Sequence, residues 1–355
     1  MVQEGRGNNQ FYKIIMSHKF TNRCFFIVAI FSLLFPTLTS AATSQFGDVG
    51  APLPRIEQED KLYIPADKID EVWDFLYNHY VKDTAALKEL DPLFTSYADE
   101  ENFSDTYFDT PNLWLLGKKF GIRHRWRENL TNPEDAKSGR ELVQIKVNNI
   151  SDNPLDRGEF KYEVRFQINY KTPEDNHPLF ALLKYADRDD FKKRVENLGI
   201  ANPYDLKPIL AVKDWRRRIY FNKEGKPFFS FSLDSVSSEI FGVKVGFVEL
   251  EDELNEVTYT EADEATRYYM QSMRIKTKNE IMAKFPYIKE DLTPKYNKSF
   301  DRLENKIPFL RFWIKYNPYT IISAAIVTII LIIAIMVAVI RRIIKKRSKS
   351  AGKRE

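Results

Sequence analysis

A single cysteine, Cys24, stands in the whole chain, inside an apolar N-terminal run. Everything downstream is cysteine-free, which excludes disulfides, thiolate zinc sites and a cysteine nucleophile from the main body. His79, His124 and His177 are scattered without ligand spacing, so a histidine-based zinc site is not expected. No glycine-rich phosphate loop occurs, which removes P-loop chemistry. A strong net charge is also missing: the balance is +4 over 355 residues, no footprint for nucleic acid, and no nucleic-acid partner is expected. No internal repeat is visible. What is present is apolar material for a real core, 43% hydrophobic and 14% aromatic, and a pattern of full charges.

Two segments read as membrane signals. Residues 24–38 form an apolar run of signal-peptide length, preceded by His18, Lys19 and Arg23 and followed by Ser40, Ala41 and Ala42. A secretory signal over 1–42 is expected, with Met16 as an alternative start and an uncleaved anchor as the other reading. Near the other end, 319–340 contains no charge, and roughly 20 apolar residues suffice to cross a bilayer. Phe309, Phe312, Trp313, Tyr316 and Tyr319 precede it as an interfacial belt would. Arg341, Arg342, Lys345, Lys346, Arg347 and Lys349 follow. The positive-inside rule then predicts a single-pass type I membrane protein with a cytoplasmic tail, 341–355, and an extracytoplasmic domain, periplasmic or lumenal.

The working domain is expected over 47–286, with a polar juxtamembrane linker over 287–318. Helices are expected from Ala66 to Tyr80, in two pieces from Pro178 to Leu198, and from a capping box at Thr260 and Asp263 to Lys284. Most of the rest alternates as strands do, placing every second side chain on one face. Glu57, Glu59 and Lys61 share a face. So do Arg123, Arg125 and Arg127, opposite Ile122, His124 and Trp126. Glu159, Lys161, Glu163 and Arg165 alternate with Phe160, Tyr162, Val164 and Phe166. Lys146 lies in a further strand, as do Asp234 and the pair Glu249 and Glu251. Lys213, Arg216, Arg217 and Arg218 lie on another, where the register after Trp215 leaves open which arginines share a face.

One such strand reads as a core face and a solvent face. Five together point elsewhere, because arginines crowded on one face repel unless an anion lies among them. A closed antiparallel barrel with its charges inside resolves this. Guanidinium forks suit phosphate oxygens, and clustered carboxylates suit Mg²⁺ or Mn²⁺.

Glu57-x-Glu59-x-Lys61 resembles the ExExK signature of the CYTH, or triphosphate tunnel metalloenzyme, superfamily. Asp105-Thr-Tyr-Phe-Asp-Thr-Pro-Asn112 resembles its "yyDTp" segment, and the charged strands follow in its order. Thr277-Lys278-Asn279 resembles its late "SKy" lysine. The resemblance spans about Arg55 to Lys284. It implies an α+β fold: an eight-stranded antiparallel tunnel with a charged interior and flanking helices, here with one C-terminal transmembrane helix. It implies a triphosphate or polyphosphate gripped by Lys61, Arg123, Arg125, Arg127, Lys146, Lys213, Arg216, Arg218 and Lys278. It implies Mg²⁺ or Mn²⁺ on Glu57, Glu59, Glu159, Glu163, Asp234, Glu249 and Glu251. A metal-dependent triphosphatase is the expected activity. The alternatives are a class IV adenylyl cyclase-like enzyme, a polyphosphate polymerase-like enzyme, and a non-catalytic polyphosphate or organophosphate sensor.

Overall fold

In the computed structural model, residues 55–135, 137–148, 155–165, 171–316 and 318–351 are described. The expected signal segment lies outside them.

Strand β1 (Arg55–Ile64) opens the domain, followed by helix α1 (Ile69–Tyr77), a wider helical turn to Lys82, and α2 (Ala85–Leu90). Next come β2 (Phe94–Asp109), α3 (Trp114–Lys118), β3 (Gly121–Asn129), β4 (Glu141–Asn148) and β5 (Asp156–Glu163). Helix α4 (Arg188–Asn197) precedes three long strands, β6 (Lys207–Lys223), β7 (Lys226–Ile240) and β8 (Val243–Leu254). Helices α5 (Glu256–Glu261) and α6 (Glu264–Lys284), a short β9 (Lys289–Glu290), α7 (Lys295–Glu304), α8 (Leu310–Tyr316) and α9 (Pro318–Ala351) complete the chain.

The strands run in the order β5-β4-β3-β2-β6-β7-β8-β1, and a further β1–β5 pairing closes the ring. Each of these pairs is antiparallel, so this is a closed eight-stranded barrel, with β9 appended to β1 at Leu62 and Tyr63. Two tight turns build its longest walls. Glu224-Gly225 and Phe241-Gly242 both have positive φ at each residue, the backbone that a two-residue hairpin loop between twisted strands requires.

The apolar faces look outward. Leu62, Ile64, Ile219, Phe221, Phe231 and Leu250 pack under α1 and α6, against Val72, Leu76, Met270 and Ile281. Ile122, Val143, Ile145, Phe160 and Tyr162 pack under α4 and the segment before it, against Phe180, Phe191 and Val195. The charges that sequence alternation placed together are thereby turned into the barrel.

Three local expectations change. The Pro178–Leu198 region has one regular helix, α4, after a series of turns. Asp263 is itself the cap of α6, its carboxylate accepting from the Thr266 N–H at 2.8 Å, so no box with Thr260 is needed. The stretch expected as a polar linker contains α7, whose Tyr296, Phe300 and Leu303 are buried with Leu310 of α8. These four pack against Tyr107, Leu210, Val212, Val236, Val245 and Phe247 from inner ends of the barrel strands. Helix α7 therefore plugs one mouth. Within α9, Ser323–Arg342 has mean hydropathy 3.1 and none of it is buried; it is long and apolar enough to cross a membrane.

Candidate active site

Inside the barrel lies a cavity of about 630 Å³, lined by side chains from all eight strands and from the start of α7. Its charges come from strand alternation. Residues two apart on β1 bring Glu57, Glu59 and Lys61 to the lumen, and β8 answers with Glu251 and Glu253.

The cations are organised by carboxylates. Asp105 of β2 accepts from Arg123 at 3.0 Å and from Arg125 through two bonds of 2.7 Å. Burial works against ionisation of Asp105, but the two guanidiniums outweigh it and hold its carboxyl well below the usual range. Arg127 pairs with Glu101. Lys146 of β4 donates to both oxygens of Glu57, at 2.6 and 2.7 Å. Glu159 lies 2.7 Å from Lys161 and 3.7 Å from Lys146. Glu59 contacts Lys61 at 3.2 Å and also Arg157; burial would raise its pKa, yet these two cations lower it to about 2. Glu253 has only Arg218, at 3.0 Å, as an ion-pair partner among the described residues. Burial, resisted by Arg218 and reinforced by Glu57 and Glu59, pushes it up to about 7.

Deeper, against the plug, four carboxylates converge. Asp234, Glu249 and Glu251 offer oxygens all within 4.8 Å of one another, and Asp214 of β6 lies beside them. Arg216 grips Asp234 through bonds of 2.6 and 2.5 Å and reaches Glu251. From α7, Lys295 contacts Asp214 at 2.9 Å, Glu251 at 3.2 Å, Glu249 at 3.4 Å, and Asp234. Lys298 donates to Glu249 at 2.8 Å. Burial and the neighbouring Asp234 push Asp214 up to about 6 against the pull of Lys295.

Most of the expected residues are gathered here. Lys61, Arg123, Arg125, Arg127, Lys146, Arg216 and Arg218 line the cavity, as do Glu57, Glu59, Glu159 and Glu251. Asp234 and Glu249 are fully buried beneath the α7 lysines. Glu163 reaches only the rim, paired with Arg140 at 2.9 Å and Lys184 at 2.8 Å.

Two expected residues are corrected. Lys213 is exposed on the outer barrel face, because the register of β6 turns Asp214, Arg216 and Arg218 inward and Lys213, Trp215 and Arg217 outward. Arg217 accordingly bonds Asp70 of α1 at 3.1 Å and lies over the rings of Trp73 and Trp215. Lys278 is on α6, outside the barrel, 2.9 Å from both Asp60 and Glu290. The late lysine that does enter is Lys295. Sequence reasoning also passed over Asp105, Glu101, Arg157, Asp214, Glu253 and Lys298. The alternation rule could have found Arg157, Asp214 and Glu253, which keep phase with Glu159, Arg216 and Glu251.

Hard oxygen donors at this spacing fit a divalent ion of the Mg²⁺ or Mn²⁺ type. Two buried oxygens, Asp214 Oδ1 and Glu249 Oε1, have no hydrogen-bond partner among the described residues, which agrees with that fit.

Similar solved structures include HpAC1 from Hippeastrum, described with a dominant triphosphatase activity, at 16% identity over 72% of this chain and 98% of that one, TM-score 0.40. The PH1819 protein from Pyrococcus horikoshii has 16% identity over 71% and 99%, TM-score 0.35. The S. pombe Pct1 RNA triphosphatase has 12% identity over 64% and 84%, TM-score 0.33. No curated protein sequence matches. The CYTH domain model matches residues 78–282, more than half of the chain. With that match, and with a closed barrel whose interior is built from the expected charged strands, the chain belongs to the CYTH domain family.

Proposed function

We propose that the protein is a membrane-anchored, divalent-metal-dependent triphosphatase that hydrolyses a phosphoric anhydride bond of inorganic triphosphate, polyphosphate or an organic triphosphate. The observation that carries this reading is the convergence of Arg123, Arg125, Lys146, Arg216 and Arg218 on one cavity that also holds Glu57, Glu59, Glu251 and Glu253. Cations alone would serve a binder of polyanions. Carboxylates in the same space weaken anion binding and are explained by a cation they share with the substrate. This favours the hydrolase over a passive sensor.

Arg125 and Arg123, fixed by Asp105, present pre-oriented guanidiniums to phosphate oxygens, so little order is lost on binding. Lys146 on β4 and Arg218 on β6 add further charge to the cavity. Glu57, Glu59, Asp234, Glu249 and Glu251 would hold the metal, with Mg²⁺ or Mn²⁺ as the suited ions. When bound, the ion supplies charge neutralisation and Lewis acidity at the terminal phosphate. Water adds to the terminal phosphorus as the bridging P–O bond breaks; the products are orthophosphate and the chain shortened by one phosphate, and the proton from water passes to solvent.

In this reading helix α9 is the membrane anchor, and Arg341 and Arg342 after its apolar stretch favour a cytoplasmic tail with the tunnel outside. On that side nucleotides are scarce, which favours a stable polyanion as substrate.

The test is phosphate release by the full-length protein in detergent or nanodiscs from triphosphate, long-chain polyphosphate and ATP, with Mg²⁺ or Mn²⁺. Release abolished by Glu57→Ala/Glu59→Ala supports the reading. Tight triphosphate binding without release from any substrate overturns it in favour of a sensor.

A further inference from the structure

The deep carboxylate cluster carries four negative charges in Asp214, Asp234, Glu249 and Glu251. It already touches four cations: Lys61, Arg216, Lys295 and Lys298. All eight residues are buried. A divalent ion added among these four cations would meet their repulsion where solvent screening is weak, a large penalty. Withdrawing one resident cation as the ion enters lowers that penalty.

The geometry singles out Lys295. Among the described residues it is the cation within 4.0 Å of all four carboxylates. It stands at the first turn of α7 and also lines the cavity. Arg216 is locked to Asp234 by a two-pronged contact from a central strand. Lys298 lies off the cavity lining, shared between Glu249 and Asp291 at 2.8 and 2.9 Å. Lys61 touches Glu251, Glu249 and Glu59 but neither aspartate among these contacts.

We infer that Lys295 is a placeholder cation: its ammonium occupies the deep metal position in the empty tunnel and yields it to the divalent ion when a triphosphate arrives. The four-carbon stem lets Nζ swing toward the cavity while α7 stays seated on its apolar contacts. The freed ammonium then pairs with a phosphate oxygen, and the anionic substrate takes up the positive charge that exchanging an ammonium for a divalent ion leaves in the cluster. Metal and triphosphate consequently bind with positive coupling, and the empty enzyme has low affinity for free metal. This rests on the triphosphatase reading of the cavity, but its principal test does not require turnover.

Mn²⁺ binding to the full-length protein in nanodiscs, without substrate, is followed by the loss of free-ion EPR signal. Lys295→Met is expected to bind Mn²⁺ at least about tenfold more tightly than wild type, because the resident charge is gone. Lys295→Gln, which keeps a hydrogen-bond donor, is the second variant should the first fail to fold. Lys278→Met makes the same charge change outside the barrel and is expected to leave Mn²⁺ affinity unaltered. In wild type, triphosphate strengthens Mn²⁺ binding beyond its own chelation, and the Lys295 variants lose that coupling. Unchanged or weaker Mn²⁺ binding in the Lys295 variants overturns the placeholder role, and so does an equal gain in Lys278→Met. A wild type that binds no triphosphate overturns the functional reading instead, and leaves the Mn²⁺ comparison to stand alone.

Discussion

Glu59 and Glu253 stand directly opposite each other across the β1–β8 ladder, and both line the tunnel. Like charges at such a position are destabilising unless something cationic lies between them. Glu59 has two cations and stays ionised, whereas Glu253 takes the burden and is pushed up to about 7 by burial, with Glu57 and Glu59 adding to it. The folded protein therefore keeps a proton on Glu253 between its ordinary 4.5 and about 7, where the unfolded chain has released it. Stability from this group falls as pH rises through that window and is level above it.

Glu253→Gln removes that term. In EDTA, the variant is expected to match wild type near pH 5 and to exceed it at pH 8 by on the order of 2–3 kcal/mol, a rise of several degrees in Tm. Thermal melts at the two pH values check this. An equal difference at both would mean that Glu253 is not the titrating group.

The β6 register divides its cations cleanly. Arg218→Ala removes a charge from the cavity and is expected to weaken triphosphate binding by about tenfold or more, as the loss of a charge-assisted hydrogen bond does. Lys213→Ala and Arg217→Ala alter the outer face, and calorimetry is expected to find triphosphate affinity within about twofold of wild type. A large loss in Lys213→Ala would contradict the observed alternation.

Legibility in the sequence follows from this geometry. β3 and β5 announced themselves because each sets a charged face against a mainly apolar one, and β1 through its Glu57, Glu59 and Lys61 alternation, although its other face carries Gln58 and Asp60; the tunnel turns these patterns inside out without erasing them. β6 was ambiguous because both of its faces carry cations: Arg217 finds Asp70 on α1, a partner that no local pattern reveals. α7 was hidden for a related reason. Its inner face must meet a charged lumen, so Lys295, Asn297, Lys298 and Ser299 are buried beside Tyr296 and Phe300. Its apolar stripe is there, Tyr296, Phe300 and Leu303 at i, i+4 and i+7, but it is short and set among charged and polar residues, so the stretch reads as a linker with a few apolar anchors. Asp109 was noticed only as part of a motif. Its carboxylate accepts from the Leu115 and Leu116 N–H groups at 2.9 Å and from the Tyr296 hydroxyl at 3.1 Å, tying α3 and the plug to the end of β2.

Lys278 offers a further check. It is tied to Asp60 beneath α6, with Arg274 3.2 Å from the same carboxylate. Because Arg274 remains to pair with Asp60, Lys278→Ala is expected to cost no more than about 1 kcal/mol of stability. Triphosphate turnover should not change. A marked loss of turnover at unchanged stability would restore Lys278 to the active site.

The plug is held by its apolar side chains rather than by its lysines alone. Phe300 is fully buried, among residues from the inner ends of β6, β7 and β8. Phe300→Ala is expected to cost about 3–5 kcal/mol, the usual range for emptying an aromatic site in a core. Much of that loss should fall on α7, because the eight-stranded ring closes without it. Trypsin supplies the specific readout: it cuts after lysine, and Lys295 and Lys298 are both buried in the seated plug. Cleavage at these two positions is expected to rise sharply in Phe300→Ala while sites on the barrel stay protected. Phe300→Leu, which keeps most of the volume, should lie close to wild type. If the alanine variant lowers Tm but leaves cleavage after Lys295 and Lys298 unchanged, α7 is held chiefly by its ion pairs, and Lys295→Met becomes the variant that opens it.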